Sequence, residues 1–323
     1  MKNVIITLFK TILKPLKLAR KLLSEFVRVI SLVISENYQF LRHSPPGHFY
    51  SPIPDIKEIR ANSKVIFNRS VKEIPGVDIN ENIQLGFAQD FVGLYSDIPF
   101  SDNKVDNCRY YFDNSYFSYG DAVSLYLMMR TFRPKRIIEV GSGFSSAEML
   151  DIDEMFFNSQ IEFTFIEPYP ERLLSLLESK DRERYNIFAK PVQEAPVESF
   201  LNLCEKDILF IDSSHVAKTN SDVIYLLHQI LPSLKKGVII HFHDILWPFE
   251  YPEIWFDHGR GWNEAYFVRA FMQFNTSFEI IYFNSFMELH HDAFLRSNMP
   301  LMLKAPSSKL TPGNTSLWIR KKI

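Results

Sequence analysis

Apolar residues in this chain follow two patterns that alternate from residue 121 onwards. In the first, Ala122, Leu125, Tyr126 and Met129 recur at helical spacing, which predicts a helix over 121–133 that leads through Pro134 into the next segment. In the second, Ile137, Ile138 and Val140 make a short β-branched run, which predicts a buried strand entered at 136. The same signals predict further strands at 162–166, 187–189, 207–212, 237–245, 278–283 and 315–320. Helices are predicted at 170–180, 220–231 (closed by Pro232) and 262–274. Such alternation predicts an α/β fold.

Upstream the pattern changes. Residues 1–35 place Lys10, Lys14, Lys17, Lys21 and Arg28 on one helical face and Leu8, Ile12, Leu16, Leu23, Phe26 and Ile30 on the other. A basic amphipathic helix of this kind lies on an anionic membrane surface, or packs on its own protein or on a second subunit. Charges interrupt it well short of the ~20 apolar residues of a membrane span, and it lacks the apolar run and cleavage site of a signal peptide. Residues 43–54, HSPPGHFYSPIP, read as an arm marking a boundary near 45. Short helical patterns and the aromatic end Tyr110, Tyr111 and Phe112 suggest a helical cap over 46–115, with the main domain at 116–323.

The chain's 323 residues, 46% hydrophobic, suffice for a sizeable core, and 29 Phe make that core aromatic. A net charge of −2 gives no bulk attraction to nucleic acid. Cys108 and Cys204 form no C-x-x-C pair, so two reduced thiols and a cytoplasmic location, at the inner face of the membrane if the basic helix binds there, are expected.

Candidate chemistry concentrates where strands end. After the run at 136–140 come Gly141 and Gly143, read as allowing positive φ and close ligand approach, then Ser145 and Ser146 at a helix start. Glu139 before this turn argues against a bound pyrophosphate and suits a cofactor with a cationic end, such as S-adenosylmethionine. Glu167 closes the next strand, where a carboxylate suits two ribose hydroxyls. Asp212 with His215, and His243 with Asp244, end two later strands on the same sheet edge, and carboxylate with imidazole suits a divalent ion.

The segments EVGSGFSS, FIEPYPERL and FIDSSH, in that order, resemble the class I S-adenosylmethionine-dependent methyltransferases, and most closely the bacterial group of macrocin-type sugar O-methyltransferases. The resemblance spans roughly residues 110–283. It implies a Rossmann-like seven-stranded sheet with an antiparallel last strand and helices on both faces, and O-methylation of a sugar or glycan-type hydroxyl. On the same terms it implies cofactor contacts from Glu139, Gly141, Gly143, Ser145, Glu167, Gln193 and Asp212, with Gln193 beside the adenine. It further implies a divalent ion such as Mg²⁺ at Asp212, His243 and Asp244, and His215 as general base; His243 departs from the carboxylate or amide expected there. Trp247–Trp255, Trp262, Asn263 and the 43–54 arm are candidates for choosing the acceptor. Two alternatives stay open: an iron-dependent hydroxylase on the same fold, and a non-catalytic, membrane-associated cofactor-binding protein. A homo-oligomer also stays open.

Overall fold

Near-continuous apolar runs make strands that must be covered on both sides, and seven of them form one sheet in the computed structural model, which describes residues 19–35, 37–307 and 313–323. They are β1 (Arg136–Val140), β2 (Glu162–Ile166), β3 (Asn186–Phe188), β4 (Ile208–Ile211), β5 (Ile239–Phe242), β6 (Phe278–Phe283) and β7 (Leu317–Lys321), in the order β3-β2-β1-β4-β5-β7-β6. β1 to β5 pair in parallel, and β7 runs antiparallel to both β5 and β6. This is the expected Rossmann-like seven-stranded sheet with its antiparallel last strand.

Two compact units divide at 63/64. In the first, residues 19–34 form a helix on which Leu22, Leu23, Phe26 and Ile34 are exposed. Lys10, Lys14 and Lys17, three of the five residues of the expected basic stripe, lie outside the described residues. Among the described residues no helix is long and apolar enough to cross a membrane.

Residues 64–115 belong to the same unit as the sheet. The helix Glu81–Tyr95 buries Phe91 and packs on β6, where Gln84 Oε1 accepts from Phe283 N (2.9 Å). It therefore covers a sheet edge; of residues 64–115 Ser115 lines the cavity described below, while the aromatic end expected to cap it, Tyr110 to Phe112, does not. The helix expected at 170–180 is two short ones, Glu171–Leu176 and Ser179–Arg184, because Leu177 and Glu178 are extended. Asp181, which accepts from Glu178 N (2.7 Å) while bound to Arg109, holds that break. Cys108 and Cys204 are both free.

Candidate functional site

In an open α/β sheet ligands sit beyond the carboxyl ends of the strands, where the strand order reverses. Here that point lies between β1 and β4. The turns after β1, β4 and β5 open on a cavity of about 540 Å³. It is lined by Gly141, Ser142, Gly143 and Ser145 from the first turn, Glu167 from the end of β2, Asp212 and His215 after β4, and His243 and Asp244 after β5. Tyr116, Phe117, Phe144, Arg172, Arg260 and Trp262 add to the wall.

Close packing shapes the first turn. Gly141 has φ +85°, and a Cβ there would lie 1.8 Å from the Asp212 carbonyl oxygen, so this glycine lets the β1 and β4 turns touch. Gly143 differs from expectation: its φ is −180° rather than positive. Its N–H donates to Ser146 Oγ (2.9 Å), which starts the helix Phe144–Phe156. Glu139 does not line the cavity. It is fully buried, and its oxygens accept from Ser145 Oγ (2.5 Å) and from Ser146 Oγ. Burial pushes its carboxyl up to about 8 against the pull of those serines. Its role is to brace the turn rather than to touch a ligand. Glu167 is half-buried and does line the cavity, with Oε2 accepting from Ser142 N (3.2 Å) and Oε1 from Tyr169 N (2.8 Å). Two backbone donors fix the carboxylate and leave lone pairs for a diol.

The second cluster is centred on His215. Its backbone is left-handed, φ +61°, and its carbonyl accepts from Asn263 N (3.0 Å) and Glu264 N (3.2 Å). Nδ1 meets Glu264 Oε2 at 2.9 Å, and Ser213 Oγ donates to the other oxygen of that buried acid (2.9 Å). A neutral ring so held carries its proton on Nδ1 and presents Nε2 as an acceptor. Nε2 lies 3.4 Å from Asp212 Oδ1 and 3.7 Å from Asp244 Oδ2. Burial alone would favour the neutral ring, but Asp212 and Glu264, then the charge of Asp244, outweigh it and hold His215 well above the ordinary histidine value. Burial would likewise raise Asp212, yet the neighbouring His243 and His215 keep it below the usual carboxylate range.

A divalent ion between Asp212 and Asp244 does not fit this arrangement. His215 Nε2 already lies within 3.4 Å of Asp212 Oδ1 and 3.7 Å of Asp244 Oδ2, and His243 Nε2 lies 3.7 Å from Asp244 Oδ1. Among the described residues no group of three or more His, Cys, Asp or Glu converges with the spacing a metal needs. The same geometry disfavours the iron triad of a hydroxylase. What the carboxylates hold is the imidazole itself.

Other expected residues fall elsewhere. Gln193 is half-buried outside the cavity, its amide donating to Asn220 O (2.7 Å). Trp247 and Trp255 are buried away from the cavity, and Trp262 lines it. Asn263 clamps the chain past His215, accepting from Ala217 N (2.6 Å) and donating to its oxygen (3.2 Å). Sequence reasoning missed Glu264, Tyr116, Arg172 and Arg260. Glu264 follows Asn263 at a helix start, a place where an acid is ordinary.

Asp244 Oδ1 is buried in the cavity wall without a hydrogen-bond partner among the described residues.

A family model described as a methyltransferase domain matches residues 138–245, from β1 to the turn after β5. A protein of Archaeoglobus fulgidus described as uncharacterized is 37% identical over 171 residues, which cover 51% of this chain and 75% of that protein. Among solved structures, the chain is similar to the Podospora anserina methyltransferase PaMTH1 bound to SAH, with 14% identity, 84% of this chain and 99% of that one covered, and a TM-score of 0.38. It is also similar to CmcI in its apo form, with 12% identity, 86% and 99% covered, and a TM-score of 0.39. With its glycine turn and Glu167 inside the matched segment, the chain belongs to the family of the archaeal protein and carries a methyltransferase domain at residues 138–245.

Proposed function

We propose that the protein is an S-adenosylmethionine-dependent O-methyltransferase acting on a hydroxyl of a sugar or glycan-type acceptor, with His215 as general base and no metal between Asp212 and Asp244. The observation that carries this reading is the His215–Glu264 pair, whose Nε2 is presented to the cavity beside the glycine turn. An alcohol is a poor nucleophile until it loses its proton, so a positioned base is the first requirement. S-adenosylmethionine, when bound, supplies a methyl carbon whose bond to sulfur breaks as the acceptor oxygen attaches, the electron pair staying on sulfur.

The chain's residues do the rest. Glu167 accepts from the ribose hydroxyls, and the Gly141–Gly143 turn lets the backbone lie against the cofactor. His215 Nε2 takes the acceptor's proton, Glu264 fixes the ring, and Asp212 and Asp244 stabilise the imidazolium that forms. Trp262, tilted against the His215 ring with centroids 4.3 Å apart, offers a face for a sugar ring. The polar, aromatic-edged wall and the resemblance to the sugar O-methyltransferases support the acceptor class.

Calorimetry with the demethylated product, S-adenosylhomocysteine, tests the cofactor half. Glu167→Ala should lose roughly 1.5–3 kcal/mol of binding, the worth of hydrogen bonds to a charged group. No heat from the wild-type protein would sink the reading.

For the first unit we propose peripheral contact with an anionic membrane. Exposed Leu22, Leu23, Phe26 and Ile34 beside Arg20, Lys21 and Arg28 support it. The full chain should float with anionic liposomes and a chain lacking residues 1–35 should not. Equal flotation of both returns the helix to protein packing.

A further inference from the structure

Two arginines line the cavity, and neither has a carboxylate within ion-pair distance among the described residues. Arg172 lies on the cofactor side, its guanidinium 3.9 Å from the Tyr116 ring centroid and its stem beside Gly143. Arg260 lies on the other side and is the more telling. Its guanidinium is 4.8 Å from the ring centroids of both Trp255 and Trp262, and Trp262 in turn packs on His215. The cation is therefore one ring away from the base, in the half of the cavity left for the acceptor.

Indole faces hold a guanidinium by its plane and leave the N–H groups at its edge free. Arg260 is half-buried, and no side-chain hydrogen bond from it is present among the described residues. A structural arginine at such a place ordinarily spends its donors on a carboxylate or on carbonyls, as Arg109 does elsewhere in this chain. The fork of Arg260 is held in place and unspent, which is the condition for recognising a carboxylate or phosphate in two-point fashion. The acids around His215 do not serve it: Asp212 and Asp244 flank the imidazole, and Glu264 is closed by His215 and Ser213.

Resting on the methyltransferase reading of this cavity, we propose that the acceptor carries an anionic group, a carboxylate or a phosphate ester, which Arg260 binds while His215 faces the hydroxyl to be methylated. A neutral sugar would leave the cation unmatched. An acidic one would meet it while its ring lies against Trp262.

The test uses the whole chain saturated with S-adenosylhomocysteine, whose own binding heat is recorded first. Three probes are then titrated by saturation-transfer NMR and tryptophan fluorescence: methyl α-D-glucopyranoside, the corresponding methyl glucuronide, and glucose 6-phosphate. At least one charged probe should bind about tenfold or more tightly than the neutral one, and the advantage should shrink with added salt. Comparing the glucuronide with the phosphate tells which anion is read. Arg260→Gln should remove the advantage without changing the S-adenosylhomocysteine heat or Tm, and Arg260→Lys should restore part of it. Equal binding of charged and neutral probes by the wild type, failure of every charged probe to bind, or an advantage that survives in Arg260→Gln overturns the proposal. If Arg260 only pins the two indoles, its loss weakens neutral and charged probes alike, which also overturns it. A missing S-adenosylhomocysteine heat would instead overturn the methyltransferase reading itself.

Discussion

Replacing His215 with alanine is expected to lower turnover by about 10² to 10⁴, the usual worth of a positioned general base, with the binding heat of S-adenosylhomocysteine nearly unchanged. The pH dependence makes the expectation specific. Only the neutral ring accepts a proton, so the rate should rise with pH. The hydrogen bonds to Asp212 and Glu264 and the charge of Asp244 hold the imidazolium well above the ordinary value of 6.5, so the midpoint of that rise should lie above it. Glu264→Gln removes one of the stabilising charges and should shift the limb toward lower pH while also lowering turnover, because the ring loses its orienting partner. A merely structural Glu264 would change Tm and leave the pH limb where it was. The sign for stability is the opposite of that for rate: the ion pairs of His215 contribute fully below about 6.5 and are lost as pH rises through the raised folded value. Chelator treatment should leave turnover unchanged, as the metal-free reading requires. Loss of activity on chelation, restored by Mg²⁺, would return Asp212 and Asp244 to the role of ligands.

Strand positions were legible because each is a short apolar run stopped by a turn residue. Thus 162–166 and 278–283 match β2 and β6, and the run entered at 136 matches β1. The cavity's three turns were legible for the same reason, since a carboxylate or histidine at the end of such a run stands out. Direction was not legible. EVGSGFSS contains Glu139, Ser145 and Ser146 together, but spacing alone could not show that the serines turn back onto the acid and close it off from ligand. Partners far apart in sequence were also hidden. Glu264 lies 49 residues from the histidine it orients, and Arg260 sits in a loop of mixed composition whose meaning depends on two tryptophans folding around it. The placement of His215 was hidden for a related reason: a left-handed turn held by Asn263 and Glu264 brings Nε2 within 3.4 Å of Asp212 Oδ1 and 3.7 Å of Asp244 Oδ2, and such a turn leaves no mark in FIDSSH.

Arg109→Ala is expected to cost the second unit about 3 to 5 kcal/mol, toward the lower end of that range, and to lower its Tm by roughly 10 °C. The guanidinium is almost wholly buried. It donates to Asp181 through two nitrogens (2.9 and 2.8 Å), to Asp151 (2.7 Å) and to Glu154 (2.7 Å). Removing it strands two carboxylates that are themselves 1% exposed. Each retains some backbone support, Asp151 from Arg109 N and Tyr110 N and Asp181 from Glu178 N, which is why the lower end is expected. Arg109→Lys should recover little, because one ammonium cannot reproduce the paired contact with Asp181, whereas adding Asp181→Asn to Arg109→Ala should recover part of the loss by removing a stranded charge. The network also holds the segment that runs into the cavity wall. Tyr110 Oη donates to Phe117 O (2.9 Å), and Asn114 holds both ends of Phe117, Nδ2 donating to its oxygen (2.6 Å) and Oδ1 accepting from its nitrogen (2.8 Å). Loosening residue 109 should therefore weaken S-adenosylhomocysteine binding as well, through Tyr116 and Phe117, even well below the melting temperature. Denaturant unfolding and calorimetry on the same variant separate the two effects. A loss under about 1 kcal/mol would mean that the arginine and its acids do no more than an exposed ion pair does.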